Sequence, residues 1–82
     1  MTESSSSPVH VRLFAGLREA AGWGECPWPL QPGDTPRHLW TALALPGDLN
    51  TVRVAINQRF AAADTALQPG DELAFLPPIS GG

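Results

Sequence analysis

The chain has 82 residues, enough for one small domain with little room for a deep internal pocket. Apolar residues make up 43% and charged residues 16%, which is typical of a globular domain. The net charge of -3, with five arginines and no lysine, argues against nucleic acid or a membrane as a partner, and the absence of any apolar span or signal-peptide pattern predicts a cytoplasmic location.

The first elements in chain order are a leader, a strand and a short helix. Residues 1–8 are serine-rich and predict a disordered leader. Residues 9–14 alternate in character, which predicts a half-buried strand. The side chains expected to face the core are Val9, Val11 and Leu13. Residues 17–21 predict a short helix that ends at Gly22.

Residues 24–30 predict a second strand. Pro27 and Pro29 cannot donate ladder hydrogen bonds, so this strand should lie at an edge of the sheet. Cys26, the only cysteine, also lies here and has no second thiol with which to form an internal disulfide. No histidine is near it in sequence, and we interpret it as a structural residue and not as a nucleophile.

The pentapeptide Leu-Gln-Pro-Gly-Asp occurs twice, at residues 30–34 and 67–71. Pro followed by Gly suits the central positions of a type II turn, of which the second needs a positive φ. Thr35 and Pro36 then predict the N-cap and first position of the main helix, which should end before Pro46. So short a helix must pack on the sheet to be stable. The residues expected on its buried face are Leu39, Ala42 and Leu43.

The second half of the chain predicts three strands. Residues 52–58 predict a strand whose inward side chains are Val52, Val54 and Ile56. Asn57 and Gln58 predict a turn, after which Phe60 opens a short strand. Residues 72–76 predict the last strand, in which Leu73 and Phe75 face the core while Ala74 and Leu76 face outward.

This order of elements predicts an α+β domain of β-grasp (ubiquitin-like) architecture. We expect a mixed sheet of about four to five strands with one main helix packed on it. The predicted domain covers residues 9–76, and residues 77–82 form an extended C-terminal tail.

The tail is the most informative segment for chemistry. It reads Pro77, Pro78, Ile79, Ser80, Gly81 and Gly82. Proline favours an extended backbone, so the tail should project from the last strand, and six residues reach at most about 20 Å. Glycine has no Cβ and can pass through a narrow channel. The carboxylate of Gly82 is therefore suited to adenylation by ATP and conversion by a sulfur nucleophile into a thiocarboxylate.

No other group of residues predicts enzyme chemistry. His10, in a strand, and His38, on the helix, are interpreted as surface residues. The aspartates that lie beside turn residues are expected to act as caps: Asp34, Asp48, Asp64 and Asp71. No phosphate-binding loop and no metal-ligand spacing occurs. We expect a chain that is not catalytic alone, with no metal site and no permanently bound cofactor.

Three blocks of sequence resemble the small subunit of molybdopterin synthase, a family of ubiquitin-like sulfur carriers. The most specific is Gly-Asp-Glu-Leu-Ala-Phe-Leu-Pro-Pro-Ile-Ser-Gly-Gly at residues 70–82. Val-Arg-Leu-Phe-Ala-Gly-Leu-Arg-Glu at 11–19 resembles the family's first strand and helix, and Val-Ala-Ile-Asn-Gln at 54–58 its central strand. The family commonly has an aromatic residue where this chain has Leu76.

The resemblance implies a mechanism and two partners. A ubiquitin-activating-type enzyme would adenylate Gly82 with ATP, and a sulfur donor would convert the adenylate to a thiocarboxylate. The residues from Pro77 to Gly81 would thread into the large catalytic subunit, in a heterotetramer. Sulfur would pass there to cyclic pyranopterin monophosphate and form the molybdopterin dithiolene.

The partner surface is predicted from strand alternation and from the resemblance. Phe14, Phe60 and Leu76 should form one exposed apolar patch on the sheet, because their inward neighbours take the core side. Two alternatives remain open for the chain as a whole. It could carry sulfur for another pathway, such as thiamine or cysteine synthesis, or it could be a ubiquitin-like modifier that joins target lysines through Gly82.

Overall fold

The core of the protein is a mixed five-stranded sheet. The computed structural model describes residues 7–77, with strands β1 (Val9–Leu13), β2 (Glu25–Trp28), β3 (Arg53–Ile56), β4 (Arg59–Ala61) and β5 (Glu72–Leu76), and helices α1 (Ala15–Ala21) and α2 (Pro36–Ala42). The strands lie in the order β2-β1-β5-β3-β4. β1 and β5 are parallel, and the other neighbouring pairs are antiparallel. The predicted α+β, β-grasp fold is confirmed.

Some of the predictions fall on residues outside the described part of the chain. These are most of the leader (residues 1–6) and the tail positions Pro78, Ile79, Ser80, Gly81 and Gly82. The predicted disorder of the leader and projection of the tail therefore stay predictions.

The second strand lies at an edge of the sheet, as its prolines predicted. Among the described strands β2 pairs only with β1, and Pro27 stands opposite His10 in that ladder. An edge strand has one side without ladder partners, which is where residues lacking an N–H donor are tolerated. Two prolines in this segment therefore cost the sheet no central hydrogen bond.

Both Leu-Gln-Pro-Gly-Asp segments form the predicted turns. In the first, Gly33 has φ 86° and the Asp34 N–H donates to the carbonyl of Gln31 at 3.1 Å. The Asp34 carboxylate also accepts the Gln31 N–H at 2.9 Å and closes the turn. The second copy repeats this arrangement around Gly70, with φ 83°. A hydrogen bond from the Leu67 N–H to the Asp34 carbonyl, 3.0 Å long, joins the copies.

Helix α2 begins where the sequence predicted but buries a different residue. The Thr35 hydroxyl accepts the His38 N–H at 3.2 Å, which is an N-cap hydrogen bond. The helix ends at Ala42, well before Pro46, and Ala42 is exposed. The prediction that Ala42 faces the core was wrong, because the buried stripe that runs from Pro36 at helical spacing passes through Leu39, Trp40 and Leu43.

The hydrophobic core lies between the helices and one face of the sheet. The Trp40 ring packs edge-on against Phe75, with centroids 5.2 Å apart and planes at 71°. The sheet contributes the inward residues of β1, β3 and β5, including all three predicted in β1: Val9, Val11, Leu13, Val54, Leu73 and Phe75. Phe75 is fully buried at the centre of this face, so it fixes β5 under α2.

The turn between β3 and β4 is closed by Asn57 and Gln58, as predicted. Both have a left-handed backbone, with φ 53° and 70°, which a two-residue hairpin turn of the right twist requires. The Asn57 side chain also donates to the Asp71 carboxylate at 2.9 Å and accepts the Glu72 N–H at 3.0 Å. Asn57 therefore ties this hairpin to the start of β5.

β3 is shorter than the sequence predicted. Val52 lies outside it, because its N–H donates to the carbonyl of Leu49 and caps a short 3-10 helix at Leu49–Thr51. Val52 and Ile56 are half-buried and pack against the core cluster, while Val54 is buried. The inward side of the strand was thus predicted correctly and its start was not.

None of the helices in residues 7–77 is long and apolar enough to cross a membrane.

Candidate functional site: the outer sheet face and the root of the tail

The face of the sheet opposite the helices carries the residues predicted to bind a partner. A lateral row crosses it from β1 to β4: Arg12 is paired with Ala74, Ala74 with Ala55, and Ala55 with Phe60. The two alanines are only 7% and 6% exposed, although they point away from the core. Their small side chains form the floor of this face, and the larger residues stand around them. We call this surface the outer face.

Phe14, Phe60 and Leu76 all lie on the outer face, but they differ in exposure. Phe60 is 70% exposed, whereas Phe14 and Leu76 are half-buried. Leu76 is paired with Arg53, whose guanidinium lies over the Phe60 ring. The Arg12 guanidinium lies over Phe14 in the same way, which places Phe14 on the side of Arg12. Their role in binding stays a prediction.

The outer face is not the purely apolar patch that was predicted, because arginines stack on both phenyl rings. The distances from guanidinium carbon to ring centroid are 5.3 Å for Arg12 and Phe14 and 5.2 Å for Arg53 and Phe60. Both are within the range of a cation–π interaction. Sequence reasoning missed Arg53 as a surface residue of interest. The signal that could have found it is the two-residue period of β3, which sends positions 53 and 55 to the outer face.

The tail begins at the rim of this face. Leu76 ends β5, and Pro77 is half-buried beside a shallow hollow next to α1. The hollow is lined mainly by small and apolar residues of α1 and of the loop at positions 46–48, among them Leu17, Ala20 and Pro46. Pro77 was predicted as part of a projecting tail. Its role in the tail stays a prediction.

Cys26 has the surroundings of a structural thiol. It lies in edge strand β2, is half-buried, and packs against the core cluster. Burial raises the pKa of the Cys26 thiol above its ordinary value. A raised pKa lowers the fraction of thiolate, which is the nucleophilic form. This agrees with the interpretation of Cys26 as structural.

The two histidines and four turn aspartates form contacts that stabilise the fold. His10 lies 3.4 Å from Glu25, and both side chains are about half exposed. His38 lies 3.6 Å from the buried Asp34, which also accepts the Trp28 indole N–H at 3.2 Å. Asp48 and Asp71 accept backbone N–H groups, and Asp64 forms an ion pair with Arg37. Within residues 7–77, no group of three or more His, Cys, Asp or Glu could hold a metal ion.

The pKa of Asp64 is lowered by the hydrogen bond from Arg37, and the pKa of Arg37 is raised in turn. The pair ties the start of α2 to the turn after β4, where the Arg37 N–H also donates to the carbonyl of Ala63 at 2.9 Å. Both side chains are exposed, so solvent screens the attraction between them. This ion pair is a structural contact, and neither of its residues is adjacent in sequence to the end of β5, where the tail begins.

Comparison with known proteins decides the family. The model of the ThiS family matches residues 11–82, which includes the last three residues of β1, all later elements and the tail. The chain belongs to the ThiS family.

The relatives of this ThiS-family chain have a consistent name. This chain is 34% identical over 85 residues to the molybdopterin synthase sulfur carrier subunit of Arabidopsis thaliana, and the match covers 98% of this chain and 88% of the relative. It is 35% identical over 81 residues to the protein of the same name from Chlamydomonas reinhardtii, covering 90% and 98%. Among solved structures, SAMP1 from Haloferax volcanii superposes with a TM-score of 0.76 at 32% identity, covering 93% of this chain and 100% of that one.

Proposed function

We propose that this chain is the sulfur carrier subunit of a molybdopterin synthase and that Gly82 carries the sulfur. The observation that supports this most strongly is similarity over nearly the full length to two proteins of that name. The match of the family model through Gly82 supports the tail as the working segment. The described residues form a folded sheet, and β5, from which the tail continues, ends at the rim of its outer face.

The proposed chemistry uses the Gly82 carboxylate and no side chain of this protein. The carboxylate attacks the α-phosphate of ATP, forming an acyl-adenylate and releasing pyrophosphate. A sulfur nucleophile then adds to the acyl carbon and displaces AMP. Hydrosulfide leaves a thiocarboxylate on Gly82 directly, and a persulfide donor does so once a thiol has reduced the S–S bond of the acyl disulfide. The thiocarboxylate sulfur finally bonds to a carbon of cyclic pyranopterin monophosphate in place of an oxygen leaving group, and water hydrolyses the resulting thioester, which leaves sulfur on the product and restores the Gly82 carboxylate. The chain is therefore a non-catalytic subunit that holds no permanent cofactor, and ATP is bound by the activating enzyme.

The proposal requires two partner proteins. An adenylating enzyme of the ubiquitin-activating type must bind the chain to activate Gly82. The large catalytic subunit must then receive the tail, from Pro77 to Gly81, in a channel that admits only slim residues. We propose a heterotetramer of two small and two large subunits in the cytoplasm, where ATP is available.

The alternatives share the fold but have less support. Sulfur carriers for thiamine or cysteine synthesis and ubiquitin-like modifiers use the same tail. The structural similarity to an archaeal modifier protein is compatible with the last of these. The curated relatives that match most of this chain are instead named as synthase subunits, so the synthase reading is favoured.

The test is reconstitution with the cognate adenylating enzyme, ATP and a sulfur donor, followed by intact-mass measurement. The expected result is a mass gain of one sulfur-for-oxygen exchange, located at Gly82 by fragmentation. Adding the large subunit and the pterin substrate should return the mass to its initial value as molybdopterin forms. A chain that gains no sulfur, or that keeps its sulfur in the presence of the large subunit and substrate, would contradict the proposal.

Cys26→Ser is expected to leave sulfur loading unchanged. The thiol is half-buried with a raised pKa and lies in a strand at the far edge of the sheet from β4. The same intact-mass assay, run in parallel on both proteins, checks this. If a Ser variant with the melting temperature of the wild type failed to load, the thiol would have a role in transfer.

Phe60→Ala and Phe14→Ala are each expected to weaken binding to the large subunit by at least about tenfold. When a partner covers an aromatic side chain, apolar surface is removed from water, which favours binding. Truncation to alanine removes most of that surface. Isothermal titration measures the affinity. Thr41→Ala, an exposed position on α2 at the opposite side of the sheet, is the control and should bind normally. Equal affinity of all variants would place the interface elsewhere.

A further inference from the structure

The two arginines that stack on the outer face differ in how their charge is balanced. Arg12 lies 3.7 Å from the Glu25 carboxylate and 3.4 Å from that of Glu72, so it already has two acidic neighbours. Arg53 forms no ion pair within residues 7–77, and its guanidinium lies over the Phe60 ring. The outer face therefore carries one balanced and one unbalanced guanidinium, in a chain whose net charge is -3.

Arg53 is also placed where a partner must cover it. It stands opposite Leu76 in the β3–β5 ladder, so it is the lateral neighbour of the residue from which the tail continues. On its other side lies Phe60, the one large apolar side chain among the described residues that is strongly exposed. A protein that accepts the tail and covers Phe60 cannot avoid removing water from the guanidinium between them.

A guanidinium that loses its water needs a new acceptor. Burying an uncompensated charge is strongly unfavourable, whereas a carboxylate opposite it restores the balance. The contact with the Phe60 ring gives the guanidinium no carboxylate or carbonyl acceptor, so its N–H groups can still donate to a partner. The edge of a guanidinium matches a carboxylate, with two parallel hydrogen bonds.

We infer that Arg53, held by Phe60, is a specificity contact that docks a carboxylate side chain of the large synthase subunit next to the entrance of the tail channel. The inference rests on the proposed function, because it takes the large subunit as the protein that covers the outer face. It adds two details to that function, which are a charged contact residue on this chain and a carboxylate on the surface of the large subunit. Arg12 should not contribute in this way, because Glu25 and Glu72 already balance it.

The test compares Arg53→Gln with Arg59→Gln in the full-length chain. Both variants remove one positive charge from neighbouring strands. Arg59 is one residue from Phe60 in β4, so its side chain leaves the opposite side of the sheet. Affinity for the cognate large subunit is measured by isothermal titration at several salt concentrations, and melting temperatures verify the fold. Arg53→Gln should bind at least about tenfold more weakly and with a shallower salt dependence, while Arg59→Gln should match the wild type.

Other outcomes would overturn the inference. If both arginine variants bound like the wild type, no carboxylate would be docked at Arg53. If Arg53→Gln altered only binding to the adenylating enzyme, or only self-association in light scattering, the outer face would belong to that partner or to a second copy. Failure of the wild-type chain itself to bind the large subunit would overturn the proposed function as well. Failure of the inference about Arg53 is thus distinguished from failure of the proposed function by whether the wild-type chain binds the large subunit in the titration.

Discussion

Deleting Gly82 is expected to abolish sulfur loading and to leave the melting temperature unchanged. The core is built from helices and strands within residues 7–77, so we expect removal of the last residue of the tail to leave that packing unchanged. Its loss draws the terminal carboxylate back by about 3.5 Å along an extended chain. Displacing a reacting atom by that distance from its position in an enzyme's site prevents the reaction, since productive geometry requires placement to within a fraction of that length.

The measurement is intact mass after incubation with the adenylating enzyme, ATP and a sulfur donor, with thermal unfolding followed in parallel. A deletion of one serine from residues 4–7 gives a chain of equal length with the tail intact, and this control should load fully. Loading of the Gly82 deletion at the rate of the control would refute the assignment of Gly82 as the sulfur-bearing residue.

Phe75→Ala is expected to lower the free energy of unfolding by about 3–5 kcal/mol. Phe75 is fully buried in the central strand β5 and packs against the Trp40 ring, so truncation leaves a cavity at the middle of the core. A small domain is stabilised by only about 5–15 kcal/mol in total. Losing about 3–5 kcal/mol of this should lower the melting temperature by more than roughly 10 °C.

Phe60→Ala is the matched control for this prediction. It removes the same atoms from a side chain that is 70% exposed, and what it loses is the stack with Arg53. An exposed cation–π contact contributes about 0.5–1 kcal/mol, so the change in unfolding free energy should be several-fold smaller. Chemical denaturation of both variants checks this. Similar losses from the two substitutions would mean that Phe75 does not occupy the centre of the core.

These experiments separate the roles of the two faces of the sheet. Side chains on the helix side, such as Phe75, hold the domain together, and those on the outer face, such as Phe60, are expected to bind a partner. A variant such as Phe75→Ala that loses function by unfolding is therefore distinguished from Phe60→Ala, which should lose partner binding while keeping its fold. Melting curves should accompany every binding measurement on the outer face.

Local chemistry was enough to predict the turns and the bounds of several elements. The positive φ of Gly33 and Gly70 follows from the Pro-Gly pairs, and the N-cap of α2 from Thr35 followed by Pro36. Period-two alternation predicted the inward side of β1 and β5. The prolines of β2 predicted an edge strand. Each of these depends on a few neighbouring residues, and so the sequence alone carries it.

The tertiary structure decided which distant residues meet. Asn57 was predicted as a turn residue, yet its amide also bonds Asp71 and Glu72, because β3 and β5 are neighbours in the sheet. The choice of Trp40 over Ala42 depended on where Phe75 lies beneath α2. The approach of Arg53 to Phe60 and Leu76 requires β3 between β5 and β4 in one register. Strand order and register are set by the simultaneous packing of the whole sheet. The sequence by itself therefore determined the turns and the inward sides of the strands, and only the folded chain decided which residues surround the end of β5.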